Sequence, residues 1–268
     1  MTQPAPLLAP ELKRLLRTLK LGQMADTLPE RAALAKSHNL SHLDFLEQIL
    51  ADEATRREAR SAGRRAQAAH LDPAMVLEAF DDTAETTYDR AVLDEVASLR
   101  FVDAAQNVLI LGPVGVGKTH LASAIGHICC RRRYSVAFER ADKLFKRLKV
   151  SRLDGSHEAE MRKLVAVDAL IVDDLALTSL DATATADFYE TIAERHRRSA
   201  TVITSNRDPS EWIAKMADPL LAQSAVDRLQ SAAWELVIEG PSYRQREKPT
   251  LAPTSSTLPA RGRRQRRT

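Results

Sequence analysis

The sequence predicts an α/β fold in which a parallel central sheet is preceded by a small helical N-terminal domain. From residue 107 onward, short apolar segments alternate with longer amphipathic stretches, which is typical of a parallel sheet with helices on both faces. The five segments are residues 107–111, 135–139, 169–173, 201–204 and 235–239. Before residue 75, the apolar residues recur instead with the period of an α-helix.

The N-terminal region is predicted to be helical. A leucine stripe with spacings of three and four residues indicates a first helix: Leu12, Leu15, Leu16 and Leu19. Ser41 and Asp44 have the spacing of a capping box and predict the start of a second helix, whose pattern ends at Pro73. We therefore place one domain over residues 1–75 and a second over 76–248. A tail without apolar periodicity follows over 249–268, and we expect it to be disordered.

The composition narrows the class of protein. The 268 residues are 44% hydrophobic, which is sufficient for a globular core. No apolar run approaches the ~18 residues of a membrane span, and the N-terminus lacks the blocks of a signal peptide. The two cysteines, Cys129 and Cys130, are adjacent, which argues against a disulfide framework. We expect a cytoplasmic protein that does not enter a membrane.

The positive charge is concentrated at the C-terminus. The net charge is +3, and the last eight residues contain five arginines and no acidic residue. The rest of the chain is therefore slightly acidic, so attraction to nucleic acid has to come from local basic patches.

A phosphate-binding loop directly follows the first predicted strand. The sequence G-x-x-x-x-G-K-T is formed by Gly112, Pro113, Val114, Gly115, Val116, Gly117, Lys118 and Thr119. Glycines let such a loop turn its backbone N–H groups toward phosphates, and the following helix adds the positive end of its dipole. We expect Lys118 to reach the β- and γ-phosphates of a nucleoside triphosphate and Thr119 to hold Mg²⁺.

Polar residues follow two other predicted strands. Asp173 and Asp174 end the strand at residues 169–173, where we expect Asp173 to contact Mg²⁺ and Asp174 to orient or deprotonate a water. Asn206 follows the strand at 201–204 and is predicted to position that water. The alternatives are a pair of carboxylates that cap a turn, and an asparagine that begins the turn before Asp208.

Together these motifs resemble the IstB-like proteins. The phosphate loop, the Asp-Asp and Thr-Ser-Asn strand ends, Asp227-Arg228-Leu229 and Ser242-Tyr243-Arg244 follow the order of that family, from about residue 11 to 247. These are ATP-binding transposition helpers of insertion sequences, related to the DnaC helicase loaders among the AAA+ ATPases. The resemblance implies a P-loop NTPase core that forms ATP-dependent homo-oligomers on duplex DNA, without strong sequence preference, and assists a transposase.

The resemblance also implies roles for two arginines. Arg228 matches the position of an arginine finger, which reaches the ATP site of a neighbouring subunit, and Arg244 is a second phosphate sensor or an interface residue. The alternative is that both are solvated surface arginines. Many AAA+ proteins have Glu where this chain has Asp174, and we find no helical lid after residue 239. Hydrolysis is therefore expected to be slow and dependent on neighbouring subunits.

A basic stripe in the N-terminal domain is the candidate DNA contact. Arg57, Arg60 and Arg64 are spaced three and four residues apart and present one helix face to phosphates. The alternative is an ordinary helix with salt bridges, because Glu53 precedes Arg57 by four residues. The histidines, His157 and His196 among them, show no metal-ligand spacing, so no further metal site is expected.

Two other functions share these motifs. A replicative helicase loader would have the same nucleotide site but use its N-terminal region to bind a helicase. An ATP-dependent interaction module would bind the nucleotide without hydrolysing it. A transposase gene beside this one would favour the transposition helper over the loader, and an ATPase assay with and without DNA would separate both from the interaction module.

Overall fold

The centre of the molecule is a five-stranded parallel sheet. The computed structural model describes residues 8–80 and 86–243, and the structural statements below refer to these residues. The strands are β1 (Asn107–Leu111), β2 (Val136–Arg140), β3 (Ala169–Asp173), β4 (Ala200–Ser205) and β5 (Ala233–Val237), in the sheet order β2-β3-β4-β1-β5. Because β3, β4 and β1 are neighbours, their carboxyl ends meet at one place on the sheet edge.

The helices number eleven within the described residues. They are α1 (Pro10–Thr18), α2 (Met24–Ser37), α3 (His42–Ala68), α4 (Arg90–Ala97), α5 (Arg100–Asp103), α6 (Lys118–Arg131), α7 (Ala141–Ser151), α8 (His157–Ala166), α9 (Ala182–Arg195), α10 (Pro209–Ile213) and α11 (Pro219–Gln230). A short 3-10 helix spans Leu77–Ala79. None of these helices is both long enough and apolar enough to cross a membrane.

The predicted α/β fold is confirmed. All five predicted strands are present; two have the predicted bounds, and three differ by one or two residues at their ends. Strand β5 differs most, because it begins at Ala233, where it pairs with Asn107 of β1. After β5 ends, the Ile238 N–H still donates to the carbonyl of Leu111 over 2.8 Å, so the chain stays alongside β1.

Two apolar cores cover the two faces of the sheet. Leu109, Leu170 and Ile203 point to the face covered by α7 to α11, and neighbouring residues such as Val108 and Ile171 point to the face covered by α4 to α6. Every residue of β1, β3 and β4 is buried. This burial explains why the central strands are continuous apolar runs instead of alternating patterns.

The N-terminal helices follow the predicted pattern with one break. The chain leaves α1 after Thr18, passes through a left-handed residue at Lys20 and begins α2 at Met24, so the apolar residues that follow the leucine stripe belong to a separate helix. The predicted capping box is present: the Asp44 N–H donates to Ser41 Oγ over 3.2 Å, and the Ser41 N–H donates to Asp44 Oδ2 over 3.3 Å.

Helix α3 extends from the N-terminal region onto the sheet domain. Its last turns pack on α6, where Ala66 and the following Leu71 join the core above the sheet. Arg65 Nε donates to the carbonyl of Cys130 over 2.8 Å, and the Phe138 N–H donates to that of Ala69 over 3.1 Å. The division near residue 75 stays a prediction, and residues 249–268 lie outside the described residues.

Candidate nucleotide site

The phosphate loop joins β1 to α6 and has the backbone geometry that its glycines allow. Gly112 has φ +145°, and a Cβ atom there would lie 2.1 Å from the carbonyl oxygen of Ile238, so no larger residue fits. Gly117 caps α6 at φ +98°, where a Cβ atom would lie 2.9 Å from the Phe80 ring. The loop therefore depends on glycine both for its conformation and for the close approach of its neighbours.

Lys118 is enclosed by the loop that it follows. Its Nζ donates to the carbonyl of Gly112 over 2.8 Å and to that of Pro113 over 2.7 Å, and the residue is 6% exposed. The loop thus places an ammonium group beside backbone N–H groups at the start of a 14-residue helix. This combination of fixed charge and helix dipole attracts a polyphosphate.

Thr119, at the start of α6, and Asp173, at the end of β3, are brought together. Thr119 Oγ1 donates to Asp173 Oδ1 over 3.0 Å, and Thr204 Oγ1 on β4 donates to the same oxygen over 2.6 Å. The Asp174 N–H in turn donates to Thr204 Oγ1 over 2.8 Å. The carboxyl ends of the three central strands are therefore tied together around one buried carboxylate.

Asp173 is held in an environment that suits a cation. Burial raises its pKa above the ordinary value, and the nearby charge of Asp174 adds to this effect. The hydrogen bonds from Thr204 and Thr119 lower the pKa and oppose it. A cation would stabilise the buried, charged carboxylate of Asp173. The oxygens of Asp173 and Thr119 are the hard ligands that Mg²⁺ prefers, so these residues fit the ion.

Asp174 begins a turn that aims its side chain away from the core. Its φ is +58° and that of Ala176 is +59°, a left-handed conformation that costs non-glycine residues about 1–3 kcal/mol each. The Leu175 N–H donates to the carbonyl of Thr204 over 2.9 Å, which holds the turn against β4. The strained turn thereby places Asp174 on the wall of the cavity beside the loop.

The cavity beside the loop is lined by residues from the phosphate loop and from the ends of two strands, all predicted for the nucleotide site. It has a volume of about 400 Å³, and Lys118, Thr119, Asp174 and Asn206 all line it. Three loop residues line it as well: Val114, Gly115 and Gly117. The strand ends that sequence analysis predicted to meet do meet here.

One wall of the cavity was not predicted. It is apolar and aromatic, and its residues are Met75, Ala79, Phe80, His120, Leu177 and Tyr243. Phe80 stacks edge-on against His120 with ring centroids 5.5 Å apart, and His120 Nε2 lies 2.8 Å from the carbonyl of Val76. The sequence signals only a domain boundary near residue 75, and a single aromatic residue beside that boundary carries no motif.

Arg228 lies outside this cavity. It is half-buried on α11, where Nη1 donates to the carbonyl of Ser224 over 2.8 Å and the guanidinium lies 5.4 Å from the Tyr189 ring centroid. Arg228 does not line the cavity of its own subunit, so it is not placed to act there. Its role as an arginine finger toward a neighbouring subunit stays a prediction. Arg244 lies outside the described residues.

A second, larger cavity contains the predicted basic stripe. This groove of about 810 Å³ lies between the turn after α1 and the middle of α3. We call its basic residues the cationic groove: Arg17, Lys20, Arg57, Arg60, Arg64, Arg65 and Arg133. Two of the described residues that line it are acidic, Glu53 and Glu58.

The cations of the groove differ in how firmly they are paired. Arg57 Nε donates to Glu53 Oε1 over 2.7 Å, as the salt-bridge alternative expected, and its Nη2 donates to the carbonyl of Lys20 over 2.5 Å. Arg60 and Arg64 are exposed, and neither forms an ion pair with any residue that the structure describes. The side chains of these two arginines are therefore available to contact phosphates, whereas that of Arg57 is held by its partners.

The fold and the site define the class of protein. The sheet order, the phosphate loop after β1, the acidic end of β3 and the polar end of β4 are those of an AAA+ P-loop nucleotide-binding protein. Within this class, the chain belongs to the IstB-like ATP-binding proteins, whose family model matches residues 14–250. The resemblance inferred from the sequence motifs is confirmed.

Relatives carried by insertion sequences support this assignment. A protein of Mycobacterium tuberculosis, named as ATP-binding in an insertion sequence, is 37% identical over 241 residues, covering 90% of this chain and 96% of the relative. A protein of insertion sequence IS5376 in Geobacillus stearothermophilus, also named as ATP-binding, is 33% identical over 86% of this chain and 92% of its own length.

Solved structures agree on the fold. DnaI matches with a TM-score of 0.52 and 23% identity over 62% of this chain and 89% of its own. DnaA from Aquifex aeolicus, solved with AMPPCP bound, matches with a TM-score of 0.52 and 24% identity, and this chain covers about half (51%) of it. At this identity the two structures show a shared fold alone.

Proposed function

We propose that the protein is an ATPase that assembles on duplex DNA as a homo-oligomer and assists a transposase in target selection or strand transfer. The observation that carries the proposal is the meeting of Lys118, Thr119, Asp174 and Asn206 around one cavity, where Thr119 also donates a hydrogen bond to the buried Asp173. The relatives carried by insertion sequences support the connection with transposition.

The residues of the cavity divide the chemistry of ATP hydrolysis among them. Lys118 and the loop N–H groups bind the β- and γ-phosphates, and Thr119 with Asp173 holds Mg²⁺, which neutralises phosphate charge when bound. Asp174 orients the attacking water and accepts its proton, and Asn206 fixes the water from β4. Asp174 is one methylene shorter than the Glu of many relatives in its class, so we expect slow turnover.

Completion of the site by a neighbouring subunit is part of the proposal. Arg228 stabilises the charge that develops on the transferred phosphoryl group of the adjacent subunit, and Arg244 senses phosphate or contacts the interface. The position of Arg228 outside its own subunit's cavity supports an action in trans. Hydrolysis would then depend on assembly.

The cationic groove is proposed as the DNA-contacting surface. Arg57, Arg60 and Arg64 line it together with further cations from α1 and from the turn after α6. Guanidinium groups that neutralise phosphates provide affinity without reading the base sequence. We therefore expect duplex binding with little sequence preference.

Phosphate release and co-purification test the proposal together. We expect ATP hydrolysis that rises on addition of duplex DNA, and ATP-dependent capture of a transposase. Capture of the replicative helicase in place of the transposase would favour a loader. Tight ATP binding without hydrolysis, with or without DNA, would favour an interaction module.

A further inference from the structure

A polar cluster lies where the end of α7, the start of α8 and the middle of α9 meet, and none of its members lines the nucleotide cavity. His157, Asp187 and Glu190 each contribute a ligand atom to it, and these atoms lie within 4.8 Å of one another. The side chain of Asp187 is fully buried, and that of His157 is 16% exposed. Asp187 and Glu190 are three residues apart on α9 and therefore share a helix face.

Within the part of the chain that the structure describes, two buried atoms of the cluster have no hydrogen-bond partner: Asp187 Oδ2 and His157 Nε2. The other carboxylate oxygen, Asp187 Oδ1, accepts a hydrogen bond from Arg152 and lies 3.5 Å from His157 Nε2. Buried polar atoms in native proteins are nearly always satisfied, so two unsatisfied atoms in one cluster point to a missing partner. A single cation between them would satisfy both.

The hydrogen bonds around His157 determine which ring nitrogen carries a proton. Ser151 Oγ donates its hydrogen to the carbonyl of Leu148 over 2.8 Å, so it can only accept from His157 Nδ1, 3.4 Å away. With the proton on Nδ1, a neutral imidazole presents the lone pair of Nε2 to the carboxylates. That tautomer is the one in which a histidine binds a metal through Nε2.

We propose that His157 Nε2, Asp187 Oδ2 and the Glu190 carboxylate bind a divalent transition-metal ion, with Zn²⁺ the best match to this set of nitrogen and oxygen ligands. Bonds of about 2.0–2.2 Å in a tetrahedral site place neighbouring ligand atoms about 3.3 Å apart. One ligand atom from each of the three residues lies within 4.8 Å of the others, and His157 Nε2 lies 3.5 Å from Asp187 Oδ1, the other oxygen of the same carboxylate, so a small rotation of that carboxylate reaches this spacing. Glu190 is exposed and reaches the ion by side-chain rotation, and water takes the fourth position.

The hydrogen bonds around the cluster also fit a metal site. Ser151 orients the His157 ring, and Arg152 holds the Asp187 oxygen that the ion does not need. Ligands of protein metal sites are generally fixed by such hydrogen bonds. The ion would join α8 to α9. The sequence carries no local signal for this site, because His157 is about 30 residues from both carboxylates and shows no ligand spacing with them.

Titration with Co²⁺ and Zn²⁺ tests the proposal. The full-length protein is first freed of metal by a chelator, and the titrations are made without nucleotide. Co²⁺ reports tetrahedral coordination through its visible absorption, and competition gives the Zn²⁺ affinity. Glu190→Gln removes an exposed ligand with little effect on folding. Glu158→Gln is the matched control, because Glu158 is an exposed carboxylate adjacent to His157 but outside the cluster.

We expect the wild type and Glu158→Gln to bind one equivalent of Co²⁺ with equal affinity, and Glu190→Gln to bind it roughly tenfold or more weakly. Asp173→Asn should leave the Co²⁺ spectrum unchanged, which separates this site from the nucleotide site. Zn²⁺ should raise the melting temperature of the wild type more than that of Glu190→Gln. The proposal is overturned if the wild type gives no tetrahedral Co²⁺ spectrum, if both glutamine variants behave alike, or if Asp173→Asn abolishes the signal.

Discussion

Thr204 Oγ1 donates a 2.6 Å hydrogen bond to Asp173 Oδ1, which links the end of β4 to the carboxylate at the end of β3. The same hydroxyl accepts a hydrogen bond from the N–H of Asp174. One side chain therefore positions both acidic residues of the candidate site. Because Thr204 is fully buried, water cannot replace its hydroxyl if it is removed.

Thr204→Val should destabilise the protein and slow hydrolysis while nucleotide binding persists. Valine keeps the shape but leaves the Asp174 N–H without its partner, at a cost of about 1–3 kcal/mol. Urea unfolding measures the stability, and phosphate release measures the turnover. Thr204→Ser, which retains the hydroxyl, should restore most of both; equal losses in the two variants would assign the effect to packing.

Lys118→Ala should lose nucleotide binding. The Nζ is the side-chain charge that we place on the β- and γ-phosphates, and no neighbouring lysine lines the cavity to replace it among the described residues. Equilibrium binding of a fluorescent ATP analogue measures the effect. Lys146→Ala, on α7, is the matched control and should bind normally. Wild-type affinity in Lys118→Ala would contradict the assignment.

Asp174→Asn should bind ATP normally but hydrolyse it at least about 100-fold more slowly, because the amide keeps the shape of the carboxylate but cannot accept a proton. Binding of the fluorescent analogue and phosphate release, measured on the same preparation, separate the two effects. Turnover at the wild-type rate would show that Asp174 is a turn residue only.

Arg228→Ala should bind ATP almost normally and hydrolyse it poorly. Because the finger is proposed to act on a neighbour, mixing Arg228→Ala with Lys118→Ala should recover activity wherever an intact site meets an intact Arg228. The measurement is phosphate release from mixed oligomers whose co-assembly has been verified by affinity tagging. Absence of recovery in such oligomers would argue against an action in trans.

Removal of the exposed arginines should weaken duplex binding uniformly across unrelated sequences. Each lost phosphate contact should reduce the slope of log affinity against log salt by about 0.9. The variant is Arg57→Ala, Arg60→Ala and Arg64→Ala combined, and a chain truncated after Lys248 is the comparison. If truncation abolishes ATP-dependent binding while the triple variant behaves as wild type, the C-terminal tail carries the DNA contacts.

Much of the fold was predictable because its signals are local. The strand at 107–111, the glycine loop after it and the acids after Val172 each lie within a few consecutive residues. The apolar wall of the cavity was not predictable, since Phe80 and Tyr243 approach the loop from distant parts of the chain. The cluster of His157 and Asp187 was not predictable for the same reason, because the proximity of these residues depends on how α8 packs against α9.

The length of α3 has a mechanical consequence. It is one continuous helix of 27 residues whose last turns rest on α6, the helix that starts at Lys118. At 1.5 Å per residue, α3 projects about 30 Å beyond that contact, so a tilt of about 10° would move its far end by about 5 Å. The helix is thus a lever, whose short arm rests on the C-terminal part of α6, where Arg65 contacts Cys130, and whose long arm packs against α2. Small rotations of α6 would be amplified along it.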